Sequence, residues 1–251
     1  MAVTNGVLDA KITVVSSGTT YSVYSDWGLI IENGDPIGDP EQETYYINVM
    51  GRNNLLDASE VLPGRPTFKG RPINMQVAFD GEPERWTAKI SDIRNKINGR
   101  QVKIRFSDDT SHYWLGRISV KDTERAKRLG RFTLAAYVDA YKHEIASSQE
   151  KLRWDDMNFL TDCLRYLGTV TITDSGTITI PHGEVGVVPV ITVSNLSSGS
   201  LTMHSSSNNT TYTLVTGRNR FPDLLVCGTA NVTLTFTGSA KVAVDYRGES
   251  L

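Results

Sequence analysis

The chain is expected to be mainly β, with an α+β first half and an all-β second half. Three observations lead there. Short runs of alternating apolar residues recur through the sequence, the period-2 signature of half-buried strands. A single stretch, Trp86, Ile90, Ile93 and Ile97, instead spaces its apolar residues at helical intervals. The composition also changes at Gly168. Beyond it only Arg218, Arg220, Lys241 and Arg247 are basic, and Thr, Ser, Val and Gly dominate.

Taken in order, Ile12 and Val14, then Tyr21 and Val23, predict a strand pair turning at Ser17-Gly18. Gly34-Asp35-Pro36 and Gly38-Asp39-Pro40 fix φ twice and remove two backbone donors, so an extended loop is expected. Tyr45 to Met50 reads as a strand, and Gly51-Arg52-Asn53-Asn54 as a tight turn. Phe68 to Phe79 returns as strand with Ile73, Met75, Val77 and Phe79 on one face. Pro83 suits the first position of the helix, and Asn98-Gly99 its end. A hairpin follows, with Val102, Ile104 and Phe106 facing Trp114, Ile118 and Val120. Gly116 marks a bulge or close approach. A basic loop, Lys121 to Gly130, leads into a strand from Arg131 to Val138. One helix packed on an antiparallel sheet is an α+β arrangement.

Leu152, Phe159, Leu160, Leu164 and Leu167 predict a short helix stopped at Gly168. This divides the chain into an N-terminal domain over 1–143, a helical connector over 144–167 and a C-terminal domain over 168–251. In the last, eight runs read as strands: 170–172, 178–180, 188–193, 201–203, 212–215, 221–226, 232–236 and 242–246. Turn residues separate them, which predicts a β-sandwich.

The 251 residues are 39% hydrophobic and 22% charged, enough apolar material for packed cores. A formal net charge of −2 gives no global attraction to nucleic acid or membranes. No apolar run is long enough for a membrane helix, and Met1 to Gly6 does not begin a secretory signal, so retention in a cytoplasm is expected. Cys163 and Cys227 are expected to be buried as small hydrophobes without a disulfide. The histidines His112, His143, His182 and His204 have no metal-binding spacing. Nucleophile-elbow, dinucleotide and phosphate-loop patterns are absent. Asp155-Asp156 and Asp108-Asp109 are neighbours that suit caps and turns better than acid/base catalysis. No enzyme and no cofactor is expected.

One ordered set of motifs remains. It comprises Tyr45-Tyr46, Gly51-Arg52-Asn53, Leu56-Asp57, Arg71-Pro72-Ile73, the Trp86 helix and Tyr113-Trp114-Leu115-Gly116-Arg117. Asp139-Ala140-Tyr141-Lys142 closes the first domain, and Asn231 to Gly238 with Asp245 to Leu251 closes the chain. That set resembles the distal tail protein (Dit) family of long non-contractile phage tails, in its two-domain form without a carbohydrate-binding insertion. Gly248-Glu249-Ser250 departs from a more usual Gly-Gly pair. The resemblance implies a tail-tube-like β-sandwich or split barrel with one packed helix, followed by a galectin-like, jelly-roll β-sandwich. It further implies a six-membered ring with a central channel, at the distal end of the virion tail, assembled in the host cytoplasm. Implied partners are the tail tube protein, a tail-associated tip protein, the tape-measure protein and receptor-binding or baseplate proteins. DNA enters only as passing cargo, and no membrane insertion is implied.

A closed ring needs two different surfaces that meet head to tail. The Pro/Gly-punctuated segment from Glu32 to Pro66 suits one of them, with Ile37, Val49, Arg52, Asn53, Leu55, Leu56 and Leu62 as candidate interface residues. The basic loop, with Lys121, Arg125, Lys127, Arg128 and Arg131, would face DNA or an acidic neighbour, or simply solvent. The rival reading is a carbohydrate-binding sandwich that recognises cell-wall glycans. Tyr212, Phe221, His204 and Asn208 would form its binding face.

Overall fold

The structure, a computed structural model, describes residues 8–32, 34–61, 64–80, 83–125, 129–150, 166–183, 185–197 and 199–251. The chain divides into two compact units, Met1–Tyr141 and Lys142–Leu251. The helix expected over residues 152–167 falls almost wholly outside the described residues, as does Cys163.

In the first unit the elements run β1 (Ala10–Val14), β2 (Thr20–Ser22), β3 (Ile30–Ile31), β4 (Gln42–Glu43), β5 (Tyr46–Ile47), β6 (Leu56–Asp57), β7 (Thr67–Phe68) and β8 (Arg71–Asp80). Then come α1 (Pro83–Ile97), β9 (Gln101–Phe106), β10 (His112–Arg125) and β11 (Leu129–Val138). An antiparallel sheet carries the order β2-β1-β9-β10-β11-β8-β3. Its inward residues are those the alternation selected. Ile12, Ile73, Met75, Val77, Val102, Ile104 and Leu134 are fully buried, with Phe132 and Ile118 nearly so. The helical stripe Trp86, Ile90, Ile93 and Ile97 closes the same core. Each such aliphatic side chain contributes roughly 1.5–3 kcal/mol by leaving water. Trp86 meets Phe79 edge to face at 5.8 Å, and Phe79 meets Phe132 at 6.2 Å.

The helix end is pinned to β10. Gly99 takes the left-handed conformation, φ 73°. Its N–H donates to the Ile118 carbonyl at 2.7 Å, and the Asn98 side chain accepts from the Val120 N–H at 3.0 Å. Asn98-Gly99 thus ends the helix and also satisfies strand groups that β9 is too short to reach.

Two expectations for this unit are corrected. Lys121 to Gly130 is not a loop throughout. β10 runs on to Arg125, past a bulge between Lys121 and Glu124 where Asp122 has φ 50°, so the basic run largely extends a hairpin. The strand expected over Tyr45 to Met50 is only Tyr46–Ile47, because its partner β6 offers two residues.

The second unit contains β12 (Lys142–Glu144), β13 (Thr169–Ile172), β14 (Ser175–Ile180), β15 (Val190–Ser194), β16 (Leu201–Ser205) and β17 (Thr210–Leu214). It continues with β18 (Gly217–Arg220), β19 (Val232–Thr237), β20 (Ala240–Asp245) and β21 (Glu249–Ser250). Two four-stranded antiparallel sheets, β13-β20-β15-β18 and β14-β19-β16-β17, share one core. The pairs nest, first strand with last: β13 with β20, β14 with β19, β15 with β18, β16 with β17. A long hairpin rolled up in this way is a jelly roll. Ile191, Val242, Val244, Leu201, Met203, Leu234 and Phe236 fill its interior. Buried Ser148 donates to the Val244 carbonyl and accepts from the Tyr246 N–H, which ties the start of this unit to its last long strand.

The strand expected over Phe221 to Val226 is Gly217–Arg220 instead; Pro222 cannot donate to a ladder, and only Val226 keeps a bridge, to Val187. Cys227 is exposed rather than buried, because it lies just beyond that bridge where the chain leaves the core.

Candidate interaction surfaces

Residues 41–61 and 64–69 form a two-stranded arm. At its base β4 pairs with β7, and the Lys69 N–H donates to the Glu41 carbonyl at 2.8 Å. Phe68 anchors the base edge-on against Tyr141 at 6.1 Å. Farther out β5 pairs with β6, Tyr46 opposite Asp57 and Ile47 opposite Leu56. The Asp57 carboxylate accepts from both the N–H and hydroxyl of Ser59, bonds that lower its pKa, and the Ser59 hydroxyl in turn accepts from the Tyr45 N–H. The Arg52 N–H donates to the Val49 carbonyl at 3.1 Å, with Gly51 at φ 81° between them, which makes a type II turn.

Little of this arm's apolar surface is covered. Among the described residues, more than half of the large apolar side chains that stay exposed lie between Tyr45 and Val61. Met50 is fully exposed at the turn, Val61 is 74% exposed, Tyr45 66% and Leu55 59%. Alternation puts Tyr45, Ile47, Val49 and Leu56 on one face of the ribbon. Of the residues expected at an interface, Val49, Arg52, Asn53, Leu55 and Leu56 stand on this arm and are exposed. Ile37 does not. It bridges to Ile73 and packs on the core of its own unit. Leu62 lies outside the described residues. Tyr45, Tyr46, Ile47 and Met50 were missed; the signal for them was a Gly turn flanked by apolar runs.

Of the basic segment, Arg131 is paired within the chain. The Arg131 guanidinium forks onto Glu32, Nε to Oε2 at 2.9 Å and Nη2 to Oε1 at 3.1 Å. Glu124 stands directly across from Arg131. Lys121 remains exposed. Lys127 and Arg128, and the side chain of Arg125, lie outside the described residues.

In the jelly roll, Tyr212 and Phe221 stack at 4.3 Å, and Tyr212 is only 8% exposed. The Tyr212 hydroxyl donates to the Asp223 carboxylate at 2.6 Å and accepts from the Asn208 amide at 2.5 Å. Burial raises the pKa of this phenol, and the Asp223 bond raises it further. Tyr212, Phe221 and Asn208 come together, with Asp223, as a packed unit. His204 does not join them, since it lies between inward-facing Met203 and Ser205 and points away from the core toward Thr211. Among the described residues no group of three His, Cys, Asp or Glu side chains could hold a metal ion, and no helix is long and apolar enough to cross a membrane.

The two units together match the crystal structure of the SPP1 Dit protein (gp 19.1), described as a paradigm of the hub adsorption apparatus in phages that infect Gram-positive hosts. The match has a TM-score of 0.62, covers 96% of this chain and 99% of that one, and carries 12% sequence identity. The fold is that of a Dit protein. No family model and no curated protein matches the sequence. The likeness therefore lives in the three-dimensional arrangement and not in the identity of side chains. The arm, the helix-backed sheet and the jelly roll are the parts of this Dit fold from which a function must be argued.

Proposed function

We propose that the chain is a structural subunit of a phage tail hub, in which six copies close into a ring around a channel. The ring joins the tail tube, tip and tape-measure proteins to receptor-binding or baseplate proteins at the distal end of the virion tail, and assembles in the host cytoplasm. DNA passes through it as cargo. The arm carries this reading. A two-stranded ribbon is marginal in water by itself, and this one leaves Tyr45, Ile47, Met50 and Leu55 in solvent. Covering it with a different surface of the next copy gives the head-to-tail contact from which closed rings are built. The likeness to SPP1 Dit supports the same role, since that protein is described as a hub.

Light scattering across a concentration series, with negative-stain images, tests the proposal. The wild type is expected at the mass of six subunits and as rings. Ile47→Asp with Leu56→Asp, which changes the outer face of the arm alone, is expected to stay folded and remain monomeric. A wild type that is monomeric at every concentration, or a double variant that still assembles, would overturn it.

A further inference from the structure

The sheet of the first unit has a second face, turned away from the core, and that face is cationic. Cross-strand register and alternation put Lys11 of β1, Lys103 and Arg105 of β9, and Arg117 and Lys121 of β10 on it together. Lys11, Arg117 and Lys121 are exposed, and Lys103 and Arg105 partly so. No carboxylate stands on β1, β2, β9 or β11, or on β10 before Asp122; Asp9, one residue before β1, is taken up by the hydroxyl of Ser22, the cross-strand partner of Lys11. Among the described residues none of these five cations forms an ion pair with a carboxylate. Lys103 rests on the Tyr113 ring at 4.7 Å, and Arg117 donates to the Gly99 carbonyl at 3.0 Å.

The register makes the pattern harder to attribute to stability. Lys11 is the direct cross-strand partner of Arg105, and like charges in that relation are destabilising. A sheet selected for folding alone gains nothing from this pair, whereas an anion lying across both strands reverses its sign. Between the cations the face presents Thr13, Thr20, Gln101, Ser119, Thr133 and Tyr137, with Leu115 opposite Lys103 and Ala135 opposite Ser119. Hydroxyls and amides beside Lys and Arg are the groups that contact phosphate oxygens. Leu115 and Ala135 are too little apolar surface for the core of a stable protein interface.

We infer that this face docks the phosphodiester backbone of duplex DNA. A flat sheet face sends nothing into a groove, so recognition is independent of base sequence and governed by counterion release. The surface is on the chain whether or not copies assemble; only its placement along a channel rests on the ring proposed above. The competing occupant is an acidic stretch of a second copy, and residues 32–60 hold seven carboxylates against the single guanidinium of Arg52.

The test is fluorescence anisotropy of labelled random-sequence duplex DNA against the full chain over a salt series, with light scattering on the same samples. Five phosphate contacts per subunit predict a log K against log salt slope of about −4 to −5 for each subunit engaged. Lys103→Gln, Arg105→Gln and Arg117→Gln combined should bring it to about −2 and weaken binding at least tenfold at low salt. Arg218→Gln, Arg220→Gln and Lys241→Gln, which remove as many charges from the second unit, should change neither. The inference is overturned if the wild type binds no DNA at low salt, or if the two triple variants bind alike. It is also overturned if the sheet variant loses assembly while the control keeps it, since the face then receives a second copy. A wild type that binds DNA as a monomer bears on the ring alone.

Discussion

Gly116 of β10 lies against the backbone of Tyr137 of β11 so closely that a Cβ on it would stand 2.2 Å from the Tyr137 carbonyl oxygen and 2.6 Å from the Val138 Cα. Backbone of a central strand pair cannot swing aside as a side-chain tip can. Gly116→Ala should therefore force β10 and β11 apart and cost about 3 kcal/mol. For a unit of this size that is a fall of roughly 6–12 °C in the first transition. Fluorescence of Trp27, Trp86 and Trp114, all buried in this unit, reads it. An unchanged midpoint would mean the close approach is relieved at no cost.

Gly51 raises a different expectation, because its surroundings are empty. A Cβ there meets nothing within 4 Å, yet φ is 81°, a conformation that costs an L-residue about 1–2 kcal/mol. The arm contributes little to the core of its own unit. Gly51→Val should then leave both thermal transitions in place while raising the concentration at which copies assemble, by about tenfold for 1.4 kcal/mol. Sedimentation over a dilution series shows the shift, and a lowered Tm with unchanged assembly would contradict it.

The sequence showed elements where the chain buries its own side chains and lost them where burial comes from elsewhere. The stripe from Trp86 to Ile97 and the alternation in β8, β9 and β11 were legible because each apolar residue ends in one core. β18 was not, because its buried position is Asn219 and no apolar residue alternates there. Beyond the bulge of β10, Lys121 to Arg125 is polar on both faces, so its pairing left no trace in the pattern. In the arm the first strand and the turn at Gly51 left a trace but the partner strand Leu56–Asp57 did not, for the complementary reason. The arm's apolar residues are exposed, and periodicity reports a fold only when the chain itself supplies the second surface. Interface residues were found in part, since Val49, Leu55 and Leu56 sit on the arm while Ile37 belongs to the core.

Tyr212 should give the second unit an alkaline limit. Burial, followed by the bond to Asp223, raises its pKa above the ordinary value of 10.0. A group raised in the folded state keeps its full contribution below the unfolded pKa and loses it as pH climbs through the folded one. Removing the hydroxyl leaves Asp223 one donor short, which at neutral pH costs about 1 kcal/mol. Tyr212→Phe should thus be less stable than wild type at pH about 8, with the gap closing above pH about 10. Urea unfolding of both proteins at the two pH values measures it, and a gap constant with pH would refute the assignment.

Asn219 offers the sharpest electrostatic test. It is 7% exposed, and its amide nitrogen donates to the carbonyls of Val215 at 2.8 Å, Gly217 at 3.1 Å and Ile191 at 3.3 Å. Its oxygen accepts from the Val215 N–H at 3.0 Å. The residue therefore needs one acceptor and one multiple donor, which only an amide of this length supplies. Asn219→Asp keeps the shape and replaces the donor with a carboxylate facing three carbonyl oxygens. A buried unpaired charge of this kind costs on the order of 3–5 kcal/mol, and the group would relieve part of that by binding a proton. Its folded pKa must rise above the unfolded value of about 3.9. Between those two values the folded state holds the proton and the unfolded state does not, so stability is regained as pH falls through the folded pKa. The variant should be severely destabilised at pH about 7.5 and markedly less so at pH about 5, while wild type changes little over the same span. Equal destabilisation at both would mean that the Asn219 side chain does not face these carbonyls.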